Sequence, residues 1–217
     1  LLFKNLLTKS MEDTLLKASS VCVLFIGIGG AMQHMLKITD GALETSGSMM
    51  LIICFVLGSI VGELLDIEGA FERFGAWLRK KTHNESDTGF LSAFIHASLT
   101  VCIGAMAIVG SIQDGLLGDS SLLCAKAALD AVIILVMTAS MGKGCIFSAI
   151  PVGILQGSVT LLARLLQPVF TDAALSNLSL VGSVLVFCVG LNLVWGKKIR
   201  VANLLPSLLI AVVWAFL

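Results

Sequence analysis

Ser20–Gly27 reads SVCVLFIG and Ser183–Gly190 reads SVLVFCVG, so the two segments share four residues in eight positions. Each segment lies in an apolar run that can cross a membrane, and the second run is the fifth after the first. An odd number of crossings gives the two copies opposite directions. Inverted duplication of this kind builds the two halves of many transporters around a central site. The similarity of these two segments, which we call the echo segments, therefore predicts an inverted repeat.

The composition of the chain is typical of an integral membrane protein. Of its 217 residues, 57% are hydrophobic and 13% are charged, and the mean hydropathy is +1.01. Apolar runs of about 20 residues match the hydrocarbon thickness of a bilayer. The 14 basic and 14 acidic residues balance, which leaves no basic surface for nucleic acid. The expected partners are the lipid bilayer and a small molecule or ion, and nucleic acid is not among them.

Seven predicted spans, named A to G, make the chain an all-α polytopic membrane protein. They are A (18–35), B (49–65), C (90–111), D (122–141), E (145–166), F (175–194) and G (201–217). We treat residues 1–217 as a single integral membrane domain. The interruption at 67–89 alternates apolar and basic residues, which is typical of an amphipathic helix lying in the cytoplasmic interface.

Basic residues predict the orientation, because they accumulate in cytoplasmic loops. Only Lys37, Lys126 and Arg164 lie on the predicted outer side. The inner side has eleven: Lys4, Lys9, Lys17, Arg73, Arg79, Lys80, Lys81, Lys143, Lys197, Lys198 and Arg200. The start of the chain is therefore expected in the cytoplasm and Leu217 outside. The repeat would comprise three helices, two central helices C and D, and three inverted helices, which requires an eighth helix before A.

Helix D carries two ionisable side chains inside an apolar span, Lys126 and Asp130. Each costs roughly 2.5 to 3.5 kcal/mol at the centre of an inserted helix, so each needs a reason. Their i,i+4 spacing places both on one face, where they neutralise each other. Two interpretations remain open: a substrate or ion site within the membrane, or a self-neutralised pair that only orients the helix.

Helices C and E supply the other candidate site residues. In C, three glycines loosen the helix around Gln113 and Asp114, and in E, Pro151 removes a helix hydrogen bond close to Gln156. Interrupted spans of this kind expose backbone groups to a ligand where they line a cavity. The alternative is close helix packing through small residues, with Asp114 solvated in the outer loop and Pro151 acting as a simple kink.

Weaker signals lie near the inner ends of the spans. Glu63 in B and Asn192 in F are candidates for an inner gate. Interfacial solvation of Glu63 and capping by Asn192 are the competing explanations. His96, two turns into C, fits either a proton relay or a hydrogen-bonded core histidine.

No motif for catalysis or for a cofactor stands out. The patterns GxSxG and HExxH are absent, as are zinc-ligand and phosphate-loop spacings. The six cysteines lie in or beside apolar runs without CxxC pairing, which indicates packing residues. The sequence therefore predicts neither an enzyme nor a metal or cofactor site.

Five segments resemble the YdfK/YqgA family of bacterial inner-membrane proteins. They are GSIVGELLDIEGAFERFG (58–75), CIGAMAIVGSIQDGLLGD (102–119), LLCAKAALD (122–130), FSAIPVGILQGSVTLLA (147–163) and VGLNLVWGKKIRVANLLP (189–206). The resemblance runs from about Leu1 to the C-terminus and implies a multi-pass protein of the bacterial inner (plasma) membrane. The family is a domain of unknown function grouped with amino-acid permeases, which implies transport. Its similar members begin with a Gly-rich apolar helix, which agrees with the eighth helix that the repeat requires.

The leading hypothesis is a transporter, or permease, for a small polar or charged solute such as an amino acid, with its site among helices C, D and E. Solute or a coupling ion would contact Asp130 and Lys126. The outer approach would be lined by Asp114 and Gln113, and the rest of the cavity by Gln156 and the carbonyls near Pro151. An ion or solute channel, formed by a homo-oligomer around C and D, is the second hypothesis. A non-transporting membrane scaffold or accessory subunit is the third.

Overall fold

The fold comes from a computed structural model, which describes residues 9–39, 41–82, 89–102, 105–166, 168–169, 171–196 and 198–217. Nearly all of this part of the chain is helical, as its apolar runs predict. The departure within the described residues is an antiparallel hairpin, β1 (Leu36–Thr39) and β2 (Ala42–Thr45), with Leu36 opposite Thr45. No strand is predicted here from the sequence, because four-residue strands are too short to show a period of two.

Ten α-helices account for most of the described chain. They are α1 (Lys9–Met35), α2 (Ser48–Leu65), α3 (Ile67–Lys81), α4 (Phe90–Cys102), α5 (Ala105–Leu117), α6 (Ser121–Met141), α7 (Ala149–Leu161), α8 (Ala163–Leu166), α9 (Asp172–Trp195) and α10 (Pro206–Trp214). Two 3₁₀ helices, Lys143–Ser148 and Val201–Leu204, come before α7 and α10. Asp66 adopts φ 46° between α2 and α3, a left-handed conformation that aspartate tolerates and that turns the chain sharply.

Four helical segments are long and apolar enough to cross a bilayer: Ser48–Leu65, Ser121–Met141, Lys143–Leu161 and Asp172–Trp195. Three apolar helices are shorter: Ser20–Met35, Phe90–Cys102 and Val201–Trp214. Large apolar side chains remain exposed along α2 and α6, including Ile52, Val56, Ile60, Leu129, Val132 and Leu135. Such a surface is stable against lipid and prone to association in water. The described part of the chain is therefore that of a predominantly helical membrane protein.

Two of the predicted spans are not described as one continuous α-helix. In span C, α4 ends at Cys102 and α5 begins at Ala105, and residues 103–104 lie outside the described range. Span E starts as the 3₁₀ helix Lys143–Ser148 and continues as α7. Pro151 is the third residue of α7, and the 3₁₀ helix runs directly into α7, with the Ala149 N–H donating to the Ile146 carbonyl. Pro151 therefore lies close to the junction of the two helices, and its effect on span E stays a prediction.

Helix α9 is the most buried of the four long apolar segments, with 56% of its apolar window inside the structure against 12–22% for the others. Helix α1 packs along it in the antiparallel sense, with Gly27 facing Phe187 and Gly190 facing Leu24. A Cβ atom on Gly27 would lie 2.6 Å from the Phe187 backbone nitrogen, and one on Gly190 would lie 2.9 Å from Leu24 Cγ. The two echo segments are therefore in direct contact.

Helix α3 is strongly amphipathic. Glu68, Gly75 and Leu78 are buried on one face, whereas Trp77 and Lys80 are exposed on the other. This helix forms most of the predicted segment 67–89, of which residues 83–88 lie outside the described range. Lys4 and Lys197, which contribute to the predicted orientation, lie outside it as well. The cytoplasmic interfacial position of the segment stays a prediction.

Candidate functional site

The clearest polar site lies at the end of α4. Lys126 of α6 is buried, with 7% of its side chain exposed, and its Nζ donates a hydrogen bond to the Val101 carbonyl at 2.8 Å. Val101 is the last residue but one of α4 as the structure describes it. A backbone carbonyl oxygen carries partial negative charge, so the ammonium group lies where that charge stabilises it.

Asp130, one turn further along α6, forms an ion pair with Lys126. Its side chain is 20% exposed. The ammonium group thus has two acceptors, a carboxylate on its own helix and a backbone carbonyl at the end of another. A solute carboxylate could compete with Asp130 for the ammonium, and a cation could compete with Lys126 for the carboxylate. The arrangement can therefore exchange an internal partner for an external one.

Gln113 and Asp114 lie on α5, and Pro151 and Gln156 lie on α7; all four are partly exposed. The two helices are closely packed, since a Cβ atom on Gly115 would lie 2.3 Å from the Thr160 carbonyl oxygen. Within the described ranges, no hydrogen bond joins these four side chains to Lys126 or Asp130. The predicted site residues therefore form two sets, one at the α4–α6 contact and one at the α5–α7 contact.

The two predicted gate residues both hold the segment before α10. Glu63 Oε2 accepts a hydrogen bond from the Arg200 guanidinium at 2.9 Å. Asn192 Oδ1 accepts from the N–H groups of Lys198 and Ile199, each at 3.0 Å, and its Nδ2 donates to the Ile199 carbonyl at 2.7 Å. These contacts tie the ends of α2 and α9 to one loop, and a role in gating stays a prediction.

A cavity of about 310 Å³ lies between α3, α4, α9 and the segment that follows α9, and we call it the α3–α4 cavity. Its polar lining consists of Glu68, Glu72, Ser92, His96 and Asn192. A wider pocket of about 500 Å³ adjoins it, shares Glu68 and Glu72, and has Arg73 and Arg200 at the surface. Asn192 is a predicted gate residue and His96 a possible proton relay, whereas the sequence gives no such role to Glu68, Glu72 and Ser92.

Glu68 is the most unexpected of these residues, because it is a carboxylate with only 4% exposure. Its N–H donates to Asn203 Oδ1 at 2.7 Å, and its Oε2 accepts from the Ala202 N–H at 3.3 Å. Glu68 shares a helical face with Gly75 and Leu78. An acidic residue in phase with the buried face of α3 is the sequence signal that identifies it.

His96 is buried in α4, and its Nδ1 lies 2.8 Å from the Ser92 carbonyl oxygen. A carbonyl oxygen can only accept, so this contact requires a hydrogen on Nδ1. His96 is thus both a hydrogen-bonded residue and part of the cavity wall. Within the described part of the chain, no group of three or more His, Cys, Asp or Glu side chains is placed to bind a metal ion.

These features define a helical membrane protein in which a buried ion pair contacts the backbone of an apolar helix at the Val101 carbonyl. The chain belongs to the family described as Protein of unknown function (DUF554), whose profile matches residues 1–216. The family resemblance seen in the sequence motifs is thereby confirmed.

Two relatives show how far the similarity extends. Uncharacterized membrane protein YdfK of Bacillus subtilis (strain 168) is 26% identical over 215 residues, which cover 99% of this chain and 88% of the relative. Uncharacterized protein YqgA of Escherichia coli (strain K12) is 29% identical over 168 residues, which cover 74% of this chain and 70% of the relative. No solved structure matches the chain. The description of YdfK as a membrane protein agrees with the apolar helices found here.

Proposed function

We propose that the chain is a carrier that moves a small polar or charged solute across the bacterial inner membrane, with amino acids as the first class to test. The observation that carries this proposal is the contact of Lys126 with both Asp130 and the Val101 carbonyl. Ionisable residues inside membrane helices commonly mark substrate or ion pathways.

The chemistry of the pair favours a solute that carries both charges. A solute carboxylate would replace Asp130 as acceptor for Lys126, and a solute ammonium group would replace Lys126 as partner of Asp130. An amino acid carries both groups and could satisfy the two residues together. Gln113, Asp114 and Gln156 lie on the paired helices α5 and α7. Gln113 and Asp114 remain the proposed lining of the outer approach, and Gln156 that of the solute cavity among spans C, D and E.

The proposed topology has seven crossings, A to G, and an inverted repeat that relates A to F. Leu24 and Phe187 are each the fifth residue of an echo segment, and Gly27 and Gly190 are each the eighth. The contacts of Gly27 with Phe187 and of Gly190 with Leu24 are therefore equivalent, because each joins the eighth residue of one segment to the fifth residue of the other. A two-fold axis lying in the membrane plane produces this reciprocity, which supports the repeat.

Uptake by proteoliposomes tests the carrier function. We expect the purified chain to accumulate at least one labelled amino acid with saturable kinetics, and flux without saturation would instead indicate a channel. Asp130→Asn should abolish uptake with folding preserved, because Lys126 keeps the Val101 carbonyl as a partner. Unchanged uptake in this variant would remove the ion pair from the site.

Asp119→Asn is the matched control. Asp119 is exposed in the loop before α6, where its Oδ1 accepts a hydrogen bond from the Ser121 N–H at 3.0 Å. Hydrogen bonds from the Ser121 hydroxyl and backbone hold the pKa of Asp119 below its usual value. Because Asp119 is exposed in a loop and is not part of the ion pair, uptake should survive the loss of its charge. Exchange of the pair, Lys126→Asp with Asp130→Lys, is not a neutral swap, because a carboxylate at position 126 cannot donate to the Val101 carbonyl and should lower the stability of the fold.

A further inference from the structure

Helix α3 begins where an apolar helix ends. Ser48–Leu65 is long and apolar enough to cross a bilayer, and Asp66 alone separates it from α3. Leu64 and Leu65 are 81% and 64% exposed, so the apolar surface of α2 continues to its last residue. The left-handed conformation of Asp66 then turns the chain sharply. A helix that starts one residue after a membrane span begins at the membrane surface.

One face of α3 is fixed against α4. A Cβ atom on Gly75 would lie 2.9 Å from Leu91 Cδ2 and 3.0 Å from Phe94 Cδ1. Leu78 is buried on the same side of the helix, and the ring centroids of Phe74 and Phe94 are 5.9 Å apart. The opposite face of α3 therefore points away from α4.

The face that points away from α4 is basic and carries a tryptophan. Five residues of α3 are exposed, and we call them the α3 basic face: Ala70, Arg73, Trp77, Lys80 and Lys81. The first four follow one another at intervals of three or four residues, and Lys81 lies one turn after Trp77, so all five share one side. The acidic residues of α3 lie elsewhere, because Glu68 is buried and Glu72 lines the α3–α4 cavity.

Lys80 and Lys81 supply the positive charge of this face. Within the described ranges, neither ammonium group forms an ion pair or a hydrogen bond, whereas Arg73 pairs with Asp66 at 3.1 Å. Both lysines lie in the last turn of α3 together with Arg79. Three positive charges within one turn repel one another, and a negatively charged surface beside them offsets that repulsion.

Trp77 is exposed and yet fixed in position. Its ring stacks on that of Phe74, with centroids 5.9 Å apart and 18° between the planes, and Phe74 in turn contacts Phe94 of α4. The indole nevertheless remains 56% exposed. Tryptophan is enriched at the headgroup level of membranes, because its ring is apolar and its N–H group is polar. A fixed indole beside two lysines therefore suits a layer of charged headgroups.

We infer that the α3 basic face binds the headgroups of anionic phospholipids in the leaflet where α2 ends. Lys80 and Lys81 contact the phosphates, and Trp77 lies among the headgroups beside them. Clusters of basic residues that follow a membrane span, or lie on an amphipathic helix, attract anionic lipid through their charge. Lipid binding at this face requires no solute transport, so it can hold or fail independently of the proposed carrier function.

Quenching of tryptophan fluorescence in vesicles tests this inference. The chain has three tryptophans and no tyrosine, so Trp195→Phe with Trp214→Phe leaves Trp77 as the fluorophore. This variant is reconstituted in phosphatidylcholine vesicles that contain equal fractions of either brominated phosphatidylglycerol or brominated phosphatidylcholine. We expect phosphatidylglycerol to associate at least about threefold more strongly, and salt at about 1 M to remove the preference. Equal quenching by the two lipids at low salt would overturn the inference.

Two charge variants and a control locate the binding. Lys80→Gln with Lys81→Gln should remove the preference for phosphatidylglycerol, whereas Lys80→Arg with Lys81→Arg should keep it, because arginine restores the charge. Lys37→Gln with Lys198→Gln removes two exposed charges elsewhere and should have no effect. A preference that survives Lys80→Gln with Lys81→Gln would place the anionic lipid outside the α3 basic face.

Thermal unfolding of the chain with all three tryptophans gives a second measurement. Phosphatidylglycerol added in detergent should raise the unfolding midpoint more than phosphatidylcholine does, because it binds the folded chain more strongly. The difference should disappear in Lys80→Gln with Lys81→Gln. An equal rise with both lipids in the unmodified chain would contradict the lipid selectivity.

Discussion

Gly27 of α1 lies so close to Phe187 of α9 that a single added methyl group would come within 2.6 Å of the Phe187 backbone nitrogen. The nearby atoms are mainly backbone, which cannot rotate away as the end of a flexible side chain can. The contact therefore fixes how closely α1 approaches the most buried long helix. Small residues at such crossings are the usual means by which membrane helices approach each other.

We expect Gly27→Ala to lower the free energy of unfolding by about 1–3 kcal/mol, because the methyl group forces the two helices apart. Gly29→Ala is the control in the same helix, since a Cβ atom there meets nothing within 4 Å. Unfolding in a titration with sodium dodecyl sulfate, followed by circular dichroism, measures both. Equal stabilities of the two variants would contradict the close contact.

The echo segments show what the sequence predicts and what it cannot. Apolar runs identify the helices because hydrocarbon thickness fixes their length, and the similarity of the segments indicates a relation between α1 and α9. Their direct contact is not encoded by either segment alone. It depends on which helices neighbour one another in space, and any apolar helix of this length has several suitable neighbours.

The charged pair should show energetic coupling. Lys126→Met leaves Asp130 without its ammonium and should destabilise the fold by about 3 kcal/mol. Asp130→Asn should cost only about 1 kcal/mol, since the Val101 carbonyl still accepts from Lys126. The double variant Lys126→Met with Asp130→Asn should be more stable than Lys126→Met alone, because it leaves no unpaired buried carboxylate. Strict additivity of the single effects would show that the two side chains do not interact.

Asn192 should stabilise the loop before α10 more than an ordinary polar residue does. Asn192→Ala removes the partners of three backbone groups at 198–199 and should cost about 1–3 kcal/mol. Asn177→Ala is the control on the same helix, because Asn177 makes one long bond, 3.3 Å to the Ala211 carbonyl. Thermal unfolding in detergent compares them. A larger loss from Asn177→Ala would contradict the proposed importance of the loop contacts.

The orientation predicts which loops face outward. In intact cells, a membrane-impermeant maleimide should label Glu44→Cys, between spans A and B. It should label Lys80→Cys, between B and C, only after permeabilisation. The unmodified chain, with its own six cysteines, sets the background. Labelling of both positions from the same side would contradict a crossing by α2.

The candidate site was predictable to the extent that it lies on one helix. The spacing of Lys126 and Asp130 indicates their pairing, because i,i+4 residues share a face. Val101 gives no such signal, since its contribution is a carbonyl group that every residue carries. The effect of Pro151 cannot be predicted for a related reason: it depends on whether the residue falls in the first turn of a helix or in its interior, and here α7 continues directly from a 3₁₀ helix.

The bond between Lys126 and Val101 also bears on how the protein is made. Val101 is synthesised before Lys126, so the acceptor on α4 can already be in the membrane when α6 leaves the ribosome. Without α4, the nascent α6 would offer its ammonium only to Asp130 and to lipid, and its insertion would be less favourable. We therefore expect the entry of α6 into the bilayer to depend on the helix that precedes it in translation.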